Sequence, residues 1–296
     1  MEIRSEINRN TKHSLLDYPK EVGYLHHCRR IGLALLVAAA TTMTTVGNAQ
    51  QHSQPSTSFL PQEQTLIKTI QTPQTEPESS PQRVLRHAVF FSFKESSSEA
   101  DVQEVVDAFA ALPKKIKAII QFQSGTNNSP EGLGDGFTHC FLLTFQDEAG
   151  RSSYLPHPAH TGEFASTLRP HLKDVFVIDY WGEKTDKPPK RALKHAVFFK
   201  FKDNADPAAI KRVEDAFAAL PTRIDTIKSF EWGTNNSPEK HDDGFTHCFM
   251  VTFDSEEGRK QYLPHPDHLE FVEILKPVLD KVRVLDFWED GYQGKP

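Results

Sequence analysis

The sequence predicts an α+β fold made of two copies of one β-α-β-β-α-β unit. Three observations predict it. Leu85 to Lys94 (LRHAVFFSFK) returns as Leu193 to Lys202 (LKHAVFFKFK), and this offset of 108 residues holds without a gap to His160 and His268, then shortens by one before Trp181 and Trp288. Self-similarity at a fixed spacing marks one structural unit used twice. Within each copy, stretches with the two-residue rhythm of strands alternate with stretches at helical spacing. Apolar material is concentrated in the copies, since the 21 phenylalanines lie almost entirely after Arg83.

The elements follow in order. His87, Val89, Phe91 and Phe93 alternate with Ala88, Phe90, Ser92 and Lys94, the pattern of a strand. Ser98 opens a helix whose apolar residues Val102, Val105, Phe109 and Leu112 share a face and which stops at Pro113. Asp206 and Pro207 do the same in the second copy, an N-cap followed by proline at the first helical position. A strand from about Ile116 to Gln123 leads into the turn-rich segment Gly125 to Pro130, and a further strand runs from Phe137 to Phe145. A second helical region spans Glu148 through Tyr154 to Leu172, interrupted by Pro156 and Pro158, and Val175 to Trp181 closes the unit. The order is the ferredoxin-like, split βαβ plan. Its helices cover one sheet face only, so the other needs a cover. Two copies are too few for an open solenoid and are expected to pair sheet on sheet as a pseudo-dimeric α/β barrel.

The chain is therefore divided into an export signal at 1–49, a disordered linker at 50–84, a first domain at 85–183, a linker at 184–192 and a second domain at 193–290. Arg29 and Arg30 precede the apolar run Ile31 to Ala40, and Gly47, Asn48 and Ala49 supply small residues for cleavage. The run is too short for a bilayer, which needs ~20 apolar residues. The expected location is periplasmic or secreted, with a start near Val22 or Leu25; anchoring by an uncleaved signal is the alternative. Residues 50–83, rich in Gln, Ser, Thr and Pro, form a tether. The formal charge of −6, without a basic stripe, excludes nucleic acid as a partner. Of three cysteines, Cys28 falls in the signal; Cys140 and Cys248 sit at matching points inside apolar strands and read as buried small hydrophobes, with a disulfide or a catalytic thiol as the alternatives.

Eight of the 14 histidines form matching sets: His87, His139, His157 and His160, against His195, His247, His265 and His268. His87 shares a strand face with Val89 and Phe91, and His139 with Phe141, Leu143 and Phe145. The second helical region carries YLPHPAH from Tyr154 to His160, repeated as YLPHPDH from Tyr262 to His268. An imidazole exchanges protons near neutral pH and a phenol donates to a carbonyl or enolate oxygen, so a Tyr and a His on one apolar cavity suit enolisation, aldol or cyclisation chemistry. His157 and His265, set between prolines, suit bracing of a helix break. Residues three apart share a helix face, but the prolines break that geometry and no carboxylate completes a site, so no metal and no cofactor is expected. Asp179 and Asp286 on the last strands could orient a histidine or be solvated.

The HAVFFxFK strand, GFTH before the third strand, the YLPHPxH helix and the final DYW or DFW resemble the stress-responsive A/B barrel (Dabb) family. The resemblance covers both copies. It implies ferredoxin-like units that pair into an α/β barrel, here within one chain. Some plant members are polyketide cyclases that use a Tyr and a His for an intramolecular aldol condensation; carried over by motif, these are Tyr154 and His160, and Tyr262 and His268, with His87, His139, His195 and His247 lining the pocket. The leading expectation is an exported tandem protein that binds a small, partly apolar molecule. A cofactor-free cyclase or lyase and a non-enzymatic stress or stability protein are the alternatives.

Overall fold

The computed structural model describes residues 83–184 and 191–292. The expected export signal, the tether up to residue 82 and most of the linker lie outside the described residues. The first copy runs β1 (Arg83–Phe93), α1 (Glu99–Ala110), α2 (Leu112–Lys115), β2 (Ile119–Thr126), β3 (His139–Phe145), α3 (Glu148–Tyr154), a π-helical turn (Ala159–Phe164), α4 (Ala165–Leu168) and β4 (Leu172–Glu183). The second runs β5 (Leu193–Phe201), α5 (Pro207–Ala219), a 3-10 turn (Leu220–Thr222), β6 (Ser229–Thr234), β7 (His247–Phe253), α6 (Glu256–Tyr262), α7 (Pro266–Leu275), β8 (Leu279–Trp288) and β9 (Asp290–Tyr292). Among the described residues, no helix is long and apolar enough to cross a membrane.

Local chemistry sets the boundaries. Ser98 caps α1 with a capping box, its hydroxyl accepting from the Asp101 amide while the Asp101 carboxylate accepts from the Ser98 amide. Asp206 caps α5 ahead of Pro207. Pro113 does not end the helical path as the sequence suggests: it occupies the first turn of α2, where its missing N–H costs nothing. The second helical region ends at Leu168, and Leu172 already belongs to β4. The extra residue that the first copy carries after His160 is absorbed in the π-helical turn, where the second copy has the regular α7.

Both sheets are antiparallel, in the orders β4-β1-β3-β2 and β8-β5-β7-β6. Helices cover one face of each. The other faces meet each other through Ala88, Phe90, Cys140, Leu142, Phe176 and Ile178 of the first copy and Ala196, Phe198, Cys248, Met250, Leu285 and Phe287 of the second. Phe198 stands edge-on to both Phe90 and Phe176, with ring centroids 5.2 and 5.0 Å away. Both cysteines are free thiols in this layer, and burial pushes them well above the usual thiol range.

The barrel is not hydrogen-bonded all the way round. Past Trp288 the chain leaves the second sheet, and β9 pairs with β2, extending the first sheet to five strands. On the opposite seam β4 lies beside β6 without a ladder. Glycines permit both close approaches: a Cβ on Gly125 would sit 2.4 Å from the Trp288 carbonyl oxygen, and one on Gly233 2.9 Å from the Tyr180 Cβ. Gly125→Ala is expected to destabilise the chain by about 1–3 kcal/mol through overpacking of the seam. Gly162→Ala, where an added methyl meets nothing within 4 Å, is the control and should be neutral or slightly stabilising. Denaturant melts of the two variants check this.

Candidate functional site

Antiparallel register sets His87 on β1 directly opposite Asp179 on β4. Their side chains emerge on the helix-covered face, and His87 Nδ1 lies 2.6 Å from Asp179 Oδ1. The other carboxylate oxygen accepts from Arg151 of α3 at 2.7 Å. One turn later α3 ends on Tyr154, which is fully buried with its ring edge-on to His87 and its centroid 4.3 Å from that of His160. The second copy repeats the cluster: His195 to Asp286 at 2.7 Å, Arg259 to Asp286 at 2.7 Å, and Tyr262 against His268 at 4.3 Å.

The two imidazoles of each cluster are tuned in opposite directions. Burial is the largest influence on His87 and acts against its charged form, but the Asp179 carboxylate, its hydrogen bond and the Glu239 charge together outweigh it and raise the pKa above the ordinary histidine value. The same balance, through Asp286 and Glu131, raises that of His195. His160 and His268 are lowered, chiefly by burial, His268 to about 4. Each accepting carbonyl (Leu155 O at 3.0 Å, Leu263 O at 2.8 Å) fixes the ring proton on Nδ1 and leaves Nε2 as an unprotonated base. Burial, then nearby carboxylate charge, drives the Tyr154 and Tyr262 phenols well above their usual range, so both remain proton donors.

Each cluster is finished by the other copy. The loop after β6 sends Asn236 to Arg151, whose Nη1 donates to its Oδ1 at 2.7 Å and its carbonyl at 3.1 Å, while Asn235 Oδ1 accepts from the Asp179 amide. Glu239 of that loop reaches 3.7 Å from His87 Nε2. Reciprocally, the loop after β2 gives Asn128 to Arg259, Asn127 to the Asp286 amide, and Glu131 to within 3.9 Å of His195. Four buried polar atoms of the clusters make no hydrogen bond: Arg151 Nε, Tyr262 Oη, Glu131 Oε1 and Glu239 Oε2.

The sequence-predicted residues thus divide. Tyr154, His160 and His87, and Tyr262, His268 and His195, come together. His139 and His247 do not join them: His139 pairs with Phe91, four residues along β1 from His87, about 13 Å away by strand rise. Its ring lies against Phe93, and His247 bonds Glu214 and stacks on Trp232. His157 and His265 brace the helix break, accepting from the Ala159 and Asp267 amides. The imidazoles also lie on the helix side of each sheet, whereas the space between the sheets is filled by the phenylalanine layer, so a pocket lined by them lies beneath the helices and not between the sheets. A cavity of about 330 Å³ does open at one end of the inter-sheet layer, but Arg86, Lys194, Gln123 and Glu231 line it. Asp179 and Asp286, entirely buried, orient histidines rather than meet solvent. Arg151, Arg259 and the loop residues were missed; the signal for the loops was GTNNSPE, repeated unchanged as 125–131 and 233–239 in a stretch where turn geometry alone does not require identity. No group of three or more His, Cys, Asp or Glu is arranged to hold a metal ion among the described residues.

The profile described as Stress responsive A/B Barrel Domain matches residues 85–182 and 193–289. The chain belongs to that family. A stretch of about one copy's length matches nearly the whole of two relatives. The stress-response A/B barrel domain-containing protein HS1 of Arabidopsis thaliana is 39% identical over 98 residues, 33% of this chain and 90% of that protein. Olivetolic acid cyclase of Cannabis sativa is 29% identical over 96 residues, 32% of this chain and 95% of that protein. The crystal structure of an anthrone oxidase-like protein superposes on 72% of the chain and 94% of its own at a TM-score of 0.54 and 7% identity, a likeness of fold alone.

Two outcomes follow from the buried network. Asp179→Asn leaves the Arg151 charge unpaired and is expected to cost about 3–5 kcal/mol, whereas a double variant with Arg151→Met should lose less than the sum of the single ones. Between about pH 6.5 and 4 the unfolded chain binds a proton at residue 268 that the folded chain does not, so this contribution to stability is present above pH 6.5 and is lost as pH falls. In His268→Gln the acid-side loss of stability should be less steep, as read by thermal melts across that range.

Proposed function

We propose that the chain is an exported tandem A/B barrel protein in which each copy binds a small, partly apolar molecule at its Tyr and His. One observation carries this. The Tyr262 hydroxyl is fully buried, has no hydrogen-bond partner and adjoins a neutral imidazole and a carboxylate. A buried orphan donor costs about 1–3 kcal/mol, which a ligand oxygen would offset.

The arrangement also suits proton transfer without a cofactor. A neutral His268 or His160 is poised to take a proton from carbon beside a carbonyl, while the phenol of Tyr262 or Tyr154 donates to the oxygen that becomes enolate-like. The relation to olivetolic acid cyclase supports a cyclase or lyase built on these four residues. The rival, a non-enzymatic stress protein, is favoured by the Arg151–Asn236 and Arg259–Asn128 hydrogen bonds, which tie the copies together whatever the phenols do.

Native mass spectrometry of protein taken from its own compartment separates the two. Ligand retained by the wild type and lost from a Tyr154→Phe, Tyr262→Phe, His160→Gln, His268→Gln variant, with Tm within a few degrees, supports the site. An empty wild type and a variant that fails to fold support the structural role. N-terminal sequencing of the mature chain should begin at Gln50; a chain that begins at Met1 sinks export by this signal.

A further inference from the structure

The polar residue that each cluster takes from the opposite copy is unaccounted for by the Tyr and His roles, and both copies keep it. Glu239 lies 108 positions after Glu131, at the same point of the two GTNNSPE loops. Each projects out of its own unit and into the other. Their side chains are held where a mere surface carboxylate would not be: Glu239 is 23% exposed and Glu131 21%, and the oxygen facing the imidazole is in each case fully buried. The loops that carry them are pinned on both sides, by the Asn235 and Asn127 side chains on the β4 and β8 backbones and by the Asn236 and Asn128 contacts to the two arginines. His241 and Leu133 carbonyls, further along each loop, accept from the Val177 and Val284 amides.

We infer that Glu239 is the third ligand-contacting arm of the first site and Glu131 that of the second, each accepting a hydrogen bond from a hydroxyl on a neutral ligand. This deepens the proposed function and rests on the Tyr–His site being a binding site. The chemistry is directional. An ionised carboxylate only accepts, the phenol donates, and the unprotonated Nε2 of His160 or His268 accepts. A ligand that satisfies all three bears one hydroxyl that accepts from the tyrosine and donates to the imidazole, and a second that donates to the glutamate, as in a dihydroxybenzene. A ligand carboxylate set against Glu239 would meet like charge, so carboxylic acids are selected against. The groups that face His87 are Asp179, Arg151, Glu239, Tyr154 and His160; of these, only Glu239 comes from the other copy with a free oxygen.

The full chain tests this with Glu239→Gln and Glu131→Gln, nearly isosteric changes that leave the loops in place. Each is titrated by NMR with resorcinol and with benzoate as probes, following the imidazole signals of His87 and His195. Resorcinol is expected to bind the wild type in both copies and benzoate to bind weakly or not at all. Glu239→Gln should weaken resorcinol in the first copy only, by about tenfold or more, the loss expected for one charge-assisted hydrogen bond. Glu131→Gln should do the same in the second copy only. Without any probe, Glu239→Gln should shift the His87 titration downward and leave that of His195 unmoved. Wild-type resorcinol affinity in Glu239→Gln, equal binding of benzoate, or an unchanged His87 titration overturns the glutamate assignment while the Tyr–His site stands. If neither probe binds the wild type, the binding site itself is refuted, and this inference with it.

Discussion

The architecture depends on the face of each sheet that its own helices leave bare. Phe90, Phe176, Phe198 and Phe287 with their aliphatic neighbours would otherwise meet water, and burying such a side chain is worth roughly 1.5–3 kcal/mol. One βαββαβ unit cannot supply that cover. A second copy in the same chain can, and the join makes the partner permanently available instead of dependent on concentration. Once the sheets are face to face, their edges run side by side, and Gly125 and Gly233 let the seams close to backbone distance. The loops after β2 and β6 then have nowhere to lie except across the neighbouring unit, where they complete its histidine cluster.

The two copies are alike where they hold the clusters and unlike where they seal the ends of the inter-sheet layer. Tyr, His, Asp, Arg, Asn and Glu of the clusters recur at matched positions, whereas Arg86 corresponds to Lys194, Gln123 to Glu231 and Phe176 to Arg283. These unlike pairs interlock. Arg86 bonds Glu231 and Thr144 at one end, and at the other Arg283 lies over the rings of Phe137, Phe176 and Phe245 while bonding Asp135 and Asp243. A symmetric dimer would have to place two arginines or two phenylalanines across the axis at each of these points. Fusion removed that constraint and allowed complementary choices on the two sides.

The sequence was informative wherever one residue's role was set by its immediate neighbours. Alternation in HAVFFSF fixed which side of β1 His87 would occupy, and the Ser98 and Asp206 caps fixed helix starts within a residue. The one-residue shortening between copies was visible too, though only the coordinates reveal that a π-helical turn absorbs it. Long-range placements were less accessible. The strand pattern puts His139 on the same face as His87, but side-chain period says nothing about position along the sheet, and four residues of β1 separate them. Asp179 could be read either way because its burial is decided by Arg151 and by Asn235 and Asn236, which arrive from 28 positions before it and more than 50 after it.

The same long-range dependence explains why the identical loops escaped attention. A stretch of Gly, Thr, Asn, Ser and Pro is what a turn needs, and turn chemistry accounts for its composition in a single copy. It does not account for a glutamate whose free oxygen faces an imidazole in the other unit, as Glu131 faces His195 and Glu239 faces His87. Identity of that glutamate in both copies, while the barrel-end residues diverged, places the constraint at the clusters rather than at the loops' own folding. A cluster whose members come from both units can be formed only when the sheets are joined, so folding of the pair and completion of the clusters are one event.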